Sequence, residues 1–169
     1  ETGTVLEDSP TINVSSDDTQ GLKEPHEFPA LSLAKTKKVT DLVKWASDRP
    51  IFLSWKLDGL TLVVTYDNGK LTKVVTRGDG HVGTNITHLA GAIHGIQKTI
   101  KEKGHLVIRG EAVISYEDFE QFVLESGEDY ANPRNLASGS LSLKDSEEVK
   151  RRNIHWIPFT LVYTEKKIV

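Results

Sequence analysis

Residues 51–76 read IFLSWKLDGLTLVVTYDNGKLTKVVT, and this stretch decides the fold. Residues 51–66 are apolar and rich in β-branched side chains, and residues 71–76 return to the same composition, which is typical of strands. Asp67-Asn68-Gly69 lies between the two runs and has the chemistry of a tight turn. The stretch therefore predicts a β-hairpin.

The first predicted strand carries a lysine two residues before an Asp-Gly corner, Lys56-Leu57-Asp58-Gly59. Because side chains alternate along a strand, Ser54, Lys56 and Asp58 are predicted to share one face. A lysine amine attacks phosphorus when it is deprotonated and held against a phosphate whose charge is neutralised, so Lys56 beside a carboxylate is a candidate nucleophile. The motif alone is weak, since an exposed lysine before a turn has the same sequence.

The composition limits the class of protein. With 169 residues and 37% hydrophobic content, the chain can bury one substantial core, and residues 26–169 are expected to form it after a polar N-terminal arm at 1–25. Cysteine is absent, which excludes disulfides and thiolate metal sites, and the scattered histidines predict no metal site. A net charge of −3 argues against a strongly basic surface. Without a long apolar run or signal peptide, we expect a soluble, cytoplasmic protein that does not bind membranes. We also expect it to be a monomer.

The remaining elements follow from periodicity and capping signals. Gly91 and Gly95 interrupt one helical composition, and Ser115 with Asp118 approximates a capping box before another. The predicted elements are a helix at 40–49, a broken helix at 87–101, a strand at 105–114, a helix from 115 to 125, a short helix at 145–152 and a strand at 154–163.

Three further segments have compositions that phosphate chemistry needs. Thr76-Arg77-Gly78-Asp79-Gly80 places an arginine in a loop whose glycines let backbone amides approach a ligand. Arg109-Gly110-Glu111 puts two opposite charges in an apolar strand, where they must pair with each other or meet a polar ligand. Asn132-Pro133-Arg134-Asn135 is a polar loop that can hold an arginine toward a phosphate, or alternatively a helix cap.

In this order and spacing the segments resemble the NAD-dependent DNA ligases of bacteria, specifically the nucleotidyltransferase part of the adenylation domain, over residues 8–163. Lys-x-Asp-Gly is shared with ATP-dependent ligases and capping enzymes, whereas Thr-Arg-Gly-Asp-Gly and Asn-Pro-Arg-Asn are characteristic of the NAD-dependent branch. The resemblance implies a partial domain with an α+β nucleotidyltransferase fold, in which helices flank mainly antiparallel sheets.

The resemblance also implies a reaction. Lys56 would take AMP from NAD as a lysyl phosphoramidate, with Asp58 assisting at the phosphate or at Mg²⁺. The AMP would then pass to the 5′ phosphate of nicked double-stranded DNA. Such displacements at phosphorus need charge neutralisation and in-line positioning more than acid–base chemistry.

The other implied roles are in binding. Glu111 matches the family's acidic residue at the ribose, while Ser32 and Leu33 match the segment beside the adenine. The residues implied to bind the nucleotide are Ser32, Leu33, Lys56, Gly59, Arg77 and Glu111, and those implied to bind nucleic acid are Arg77 and Arg134.

Two positions depart from the family pattern, and two other functions stay open. Ser54 stands where many members carry glutamate, and Ser142 stands where the family has arginine. The chain also ends before the family's later lysine motifs, so it is expected to be a ligase fragment. The alternatives are a non-catalytic nucleotide- or DNA-binding homologue and an ATP-dependent nucleotidyltransferase.

Overall fold

The computed structural model describes residues 21–165, so most of the predicted N-terminal arm lies outside the described residues. The described chain is a mixed α/β structure with antiparallel sheets. Its elements are β1 (Lys23–Pro25), α1 (Val39–Ala46), β2 (Leu60–Asp67), β3 (Lys70–Thr76), β4 (Val82–Thr84), a 3₁₀ helix (Thr87–Ala92), β5 (His105–Val113), α2 (Tyr116–Ser126), α3 (Pro133–Ser140), α4 (Ser146–Lys150) and β6 (His155–Thr164).

The main sheet has the strand order β3-β2-β5-β6, and each neighbouring pair is antiparallel. The predicted hairpin is confirmed as β2 and β3, joined through Asn68 and Gly69, which both have positive φ angles (51° and 82°). This is the backbone geometry that an Asn-Gly turn provides. The predicted strand at 105–114 pairs with the hairpin, so residues distant in sequence meet in adjacent strands.

One face of the sheet is the hydrophobic core. Leu62, Val64 and Tyr66 of β2 point into it, since they alternate with the residues of the opposite face. Leu136 of α3 and Val149 of α4 belong to the same core, and both are fully buried. Burial of these side chains is the main stabilising contribution to the fold.

The opposite face is partly covered by residues 26–33, which we call the strap. Phe28 and Ala30 of the strap pack against Val63, Val107 and Val162 of the sheet. The strap also lies along the loop after β3: the His26 amide donates to the His81 carbonyl at 2.8 Å, and the Ala30 amide donates to the Gly80 carbonyl at 2.7 Å.

The helices begin at polar caps. The Ser115 side chain accepts a hydrogen bond from the Asp118 amide, which confirms the predicted start of α2. Asn132 caps α3 in the same way through the Asn135 amide, and Pro133 occupies the first turn, where its missing N–H costs nothing. Of the two alternatives for residues 132–135, the helix cap is therefore confirmed, and residues 133–140 form the helix that it begins. No helix within residues 21–165 has the length and apolar character needed to cross a membrane.

Three other expectations differ from the structure. The first strand begins at Leu60, and residues 51–58 form no regular element, because the strand opposite ends at Val113 and turns into α2. Lys23–Pro25, expected to be solvated arm, forms β1 and pairs with β4. The broken helix at 87–101 is reduced to its 3₁₀ turn, beyond which Gly95 adopts a φ of 90° that no helix accepts.

Candidate active site

Glu111 joins the two motif-bearing strands. Thr61 of β2 lies directly opposite it, and the Thr61 hydroxyl donates to Glu111 Oε2 at 2.9 Å. Its other oxygen, Oε1, accepts from the backbone amide of Gly59 at 3.2 Å. A single carboxylate thus ties the Lys-x-Asp-Gly corner to β5.

Gly59 is held too close to β5 for any side chain. A Cβ placed on it would lie 2.0 Å from the carbonyl oxygen of Ala112. Glycine is therefore required at position 59 by the close pairing with β5. This requirement holds whether or not a nucleotide approaches the same residue.

Asp58 is paired with the arginine of the third motif. Arg134, in the first turn of α3, donates from Nη1 to Asp58 Oδ1 at 2.8 Å. The Asp58 side chain is 75% exposed, so the pair adds little stability and its carboxylate remains accessible. Both residues line a cavity of about 560 Å³ whose floor includes Trp156.

Arg77 directly follows the last residue of β3 and lies beside Thr61 of β2. Its amide donates to the Thr61 carbonyl at 3.0 Å, and Thr61 lies opposite Glu111 on β5. Arg77, Thr61 and Glu111 are therefore neighbours across three adjacent segments of chain. Its guanidinium donates to the Ser32 hydroxyl at 2.8 Å. Two segments predicted to bind the nucleotide, 45 residues apart, are thereby brought into contact.

The loop that carries Arg77 is built by its glycines and by Asp79. Gly78 has a φ of 57°, and its Cβ would lie 1.9 Å from the Val82 carbonyl oxygen. Asp79 Oδ1 accepts from the amides of Val82 and His81, both at 2.8 Å, and these bonds lower the pKa of its carboxyl group. The loop is thus a fixed turn that points Arg77 toward the strap.

Lys56 and Leu33 are exposed. Lys56 lies in irregular chain between α1 and β2, so the predicted sharing of one strand face by Ser54, Lys56 and Asp58 is wrong. Along the chain, Lys56 lies two residues before Asp58, which contacts Arg134, and three residues before Gly59, whose amide donates to Glu111.

The structure also shows contacts that the sequence analysis missed. Arg109 and Glu111 do not pair with each other; Arg109 Nη2 donates to the Pro29 carbonyl at 3.0 Å. Thr61 is a further site residue, and its signal was a hydroxyl-bearing residue two positions after Gly59 of the lysine motif. Within residues 21–165 no three or more His, Cys, Asp or Glu side chains are grouped to hold a metal ion.

Arginine side chains bind carboxylate and phosphate groups alike, so Arg77 and Arg134 are candidate contacts for a phosphate-bearing ligand. Comparison with known families makes this specific, since residues 22–168 match the family model described as NAD-dependent DNA ligase adenylation domain. The chain belongs to this family.

Individual relatives agree with the family match. Proteins named DNA ligase from Lachnoclostridium phytofermentans and Ruminiclostridium cellulolyticum are 45% and 46% identical to this chain over 166 residues. One from Leptospira biflexa is 38% identical over 164 residues. The matches with the first two cover 96% of this chain but 25% of each relative, so the chain spans about a quarter of the length of the relatives it matches.

His105 makes the attachment of the strap sensitive to pH. Its Nδ1 contacts Asp67 at 2.6 Å and its Nε2 contacts Glu27 of the strap at 2.9 Å. The hydrogen bond to Asp67, followed by the bond to Glu27, raises the pKa of His105 despite some burial, and the bond to His105 lowers the pKa of Asp67.

The pH dependence of stability follows from these directions. Because the folded-state pKa of His105 is raised, its contribution is complete below the ordinary value near 6.5 and is lost as pH rises through the raised value. We expect the melting temperature to fall as pH increases through that window and to fall less in His105→Gln. Thermal melts across this range test it, with His88→Gln, an exposed histidine, as the control. Equal slopes in wild type and His105→Gln would contradict it.

Proposed function

We propose that this chain is the nucleotidyltransferase part of an NAD-dependent DNA ligase adenylation domain, in which Lys56 accepts AMP from NAD. Nicotinamide mononucleotide leaves in this first step, and the AMP then passes from Lys56 to the 5′ phosphate of nicked double-stranded DNA, which frees the lysine. The observation that carries the proposal is the Glu111 carboxylate, which holds the Gly59 amide and the Thr61 hydroxyl and so joins the lysine corner to the strand of the ribose-binding motif.

The charges around this bridge support the same reaction. Arg134 reaches Asp58, which is assigned to the phosphate or to Mg²⁺, and Arg77 reaches Ser32, which is assigned to the nucleotide. Transfer of AMP needs cations that neutralise the phosphates and positions that hold the attacking and leaving groups in line. Arg77 and Arg134 supply the cations, and nicked DNA would meet the same two side chains.

Magnesium is a second proposed component. Mg²⁺ is usually held by one or two carboxylates together with substrate phosphates, and it neutralises charge at the phosphate. The exposed carboxylate of Asp58 fits this donor set. We assign no step to the ion itself.

The wider context is also part of the proposal. The antiparallel main sheet and flanking helices support a nucleotidyltransferase fold, with the partial adenylation domain beginning no later than β1 rather than at residue 26. The protein would work as a monomer in the cytoplasm.

The test is intact mass after incubation with NAD and Mg²⁺, beside a matched sample with ATP. A gain of one AMP from NAD alone supports the proposal. A gain from ATP alone would indicate an ATP-dependent nucleotidyltransferase. No gain, together with AMP binding measured by calorimetry, would indicate a non-catalytic nucleotide-binding homologue.

Replacing Glu111 with alanine should weaken nucleotide binding without unfolding the chain. A hydrogen bond to a charged group is worth about 1.5–3 kcal/mol, so we expect the Kd for AMP to rise at least roughly ten-fold. Glu111 and Thr61 are only partly buried, so water can replace the carboxylate at the Thr61 hydroxyl. Calorimetric titration and thermal melts of the variant measure the two effects. A large fall in melting temperature with unchanged affinity would mean that Glu111 is purely structural.

A further inference from the structure

The strap is attached to the sheet at three consecutive residues. Glu27 contacts His105 of β5, and the carbonyl of Pro29 accepts from Arg109 of the same strand. Between them, the ring of Phe28 stacks on Tyr163 of β6, with centroids 5.1 Å apart and planes inclined by 17°. Two neighbouring strands therefore hold the first half of the strap.

The second half of the strap is attached to the loop after β3. The Ala30 amide donates to the Gly80 carbonyl, and the Ser32 hydroxyl accepts from Arg77. Ser32 is thus held in two ways. Residues 27–29 of the strap are attached to the sheet, and Ser32 itself is attached to Arg77.

Arg109 is the central clamp. It lies two residues before Glu111 on β5 and so projects from the same face of the sheet. Its Nε is buried without a hydrogen-bond partner, which is costly for a charged group. A shorter or uncharged side chain would avoid that cost, but it would not carry a charged donor to the Pro29 carbonyl.

We propose that Arg109 is a positioning residue that fixes the strap, so that Ser32 and Leu33 lie at the adenine side of the nucleotide site. The assignment of that site to a nucleotide rests on the proposed function. Arg109 itself need not touch the nucleotide; it acts through the Pro29 carbonyl. Its loss should therefore weaken nucleotide capture more than the chemical step.

Hydrogen exchange of the whole chain without ligand tests the clamp directly. In Arg109→Gln the amides of His26 and Ala30 should exchange at least roughly ten-fold faster, because their bonds to the loop depend on a fixed strap. Arg109→Lys keeps a charged donor and should restore part of the protection. Arg151→Gln, an exposed arginine at the end of α4, is the matched control and should behave as wild type. Unchanged protection at Ala30 in Arg109→Gln would overturn the proposal.

Protection of the hairpin amides shows whether Arg109→Gln has folded. If it has not, Glu27→Ala removes the neighbouring clamp at an exposed side chain and should accelerate exchange of the same strap amides to a smaller extent. Wild-type protection in Glu27→Ala would then overturn the proposal.

Nucleotide measurements separate positioning from mere structural support. In Arg109→Gln we expect the KM for NAD to rise roughly ten-fold with kcat within about two-fold of wild type, and the Kd for AMP to rise with KM. Faster exchange with unchanged AMP affinity would overturn the positioning role alone. A wild-type chain that neither binds nor attaches AMP would instead overturn the proposed function, and the adenine-side role with it.

Discussion

Replacing Lys56 with alanine is expected to abolish covalent attachment of AMP completely, because no other group can form the same phosphoramidate at that position. Its neighbour Asp58 is held by Arg134, and Gly59 is held by Glu111, so the truncation leaves the rest of the corner in place. Intact mass of the variant after incubation with NAD and Mg²⁺ measures the loss directly. The melting temperature should stay that of wild type, since the Lys56 side chain is exposed.

Lys101→Ala is the matched control for this experiment. Lys101 is also an exposed lysine outside regular structure, but it follows the 3₁₀ helix at a distance from the corner in sequence. It should gain AMP as wild type does. AMP retained on the Lys56 variant would refute the assignment of the nucleophile and would direct peptide mapping to another lysine.

Replacing Gly59 with alanine is expected to have the largest effect on stability. The new Cβ would lie 2.0 Å from the Ala112 carbonyl oxygen and 2.9 Å from Val113 Cγ1, and backbone cannot move away as a flexible side chain can. We expect a loss of roughly 2–3 kcal/mol in the free energy of unfolding, typical of overpacking in a close contact. Separation of β2 from β5 would also break the bond between the Gly59 amide and Glu111, so AMP attachment should fall with stability.

Gly91→Ala is the control for glycine replacement itself. Gly91 lies in the 3₁₀ helix, and a Cβ there meets no atom within 4 Å. This variant should unfold at or above the wild-type denaturant midpoint, because alanine restricts the unfolded chain. If Gly59→Ala matched it in urea titrations, the close approach of β2 and β5 would not be rigid, and the Glu111 bridge would lose its structural basis.

The sequence predicted the hairpin and the strand at 105–114 because their signals are local. Asn68-Gly69 provides its own turn geometry, and apolar alternation marks the strands on either side. The helix at 116–126 could also be predicted, because Ser115 supplies the cap and a few adjacent residues determine where the helix starts.

Prediction failed where a segment depends on partners distant in sequence. Residues 51–58 have strand composition, but β5 gives way to α2 at the point where they would need a neighbouring strand. The helix at 133–140 was not predicted beyond a possible cap at 132–135, because its serines, glycine and asparagine are poor helix formers. Leu136 and Ala137 are nevertheless fully buried, so tertiary packing overrides the local preference.

In the candidate site, too, the residues could be predicted from local motifs but their contacts could not. The motifs supplied Asp58, Arg134 and Glu111, but not which of them touch. Arg134 contacts Asp58, and Arg109 contacts the strap instead of pairing with Glu111. Both contacts depend on the placement of helices and strands, which no local sequence pattern encodes. The strap clamp was missed for this reason, since its partners lie on strands far along the chain.

Alternation along β2 and β5 has a consequence for accuracy of folding. Leu62 and Val64 fill the core from one face, whereas Thr61 and Glu111 meet on the other. A slip of β2 by one residue along β5 would turn Thr61 into the core and expose Leu62 and Val64, while Glu111 would stay on the opposite face. A chain paired in the wrong register would therefore lose stability as well as activity. Any sequence that keeps the sheet stable also keeps the residues of the site aligned.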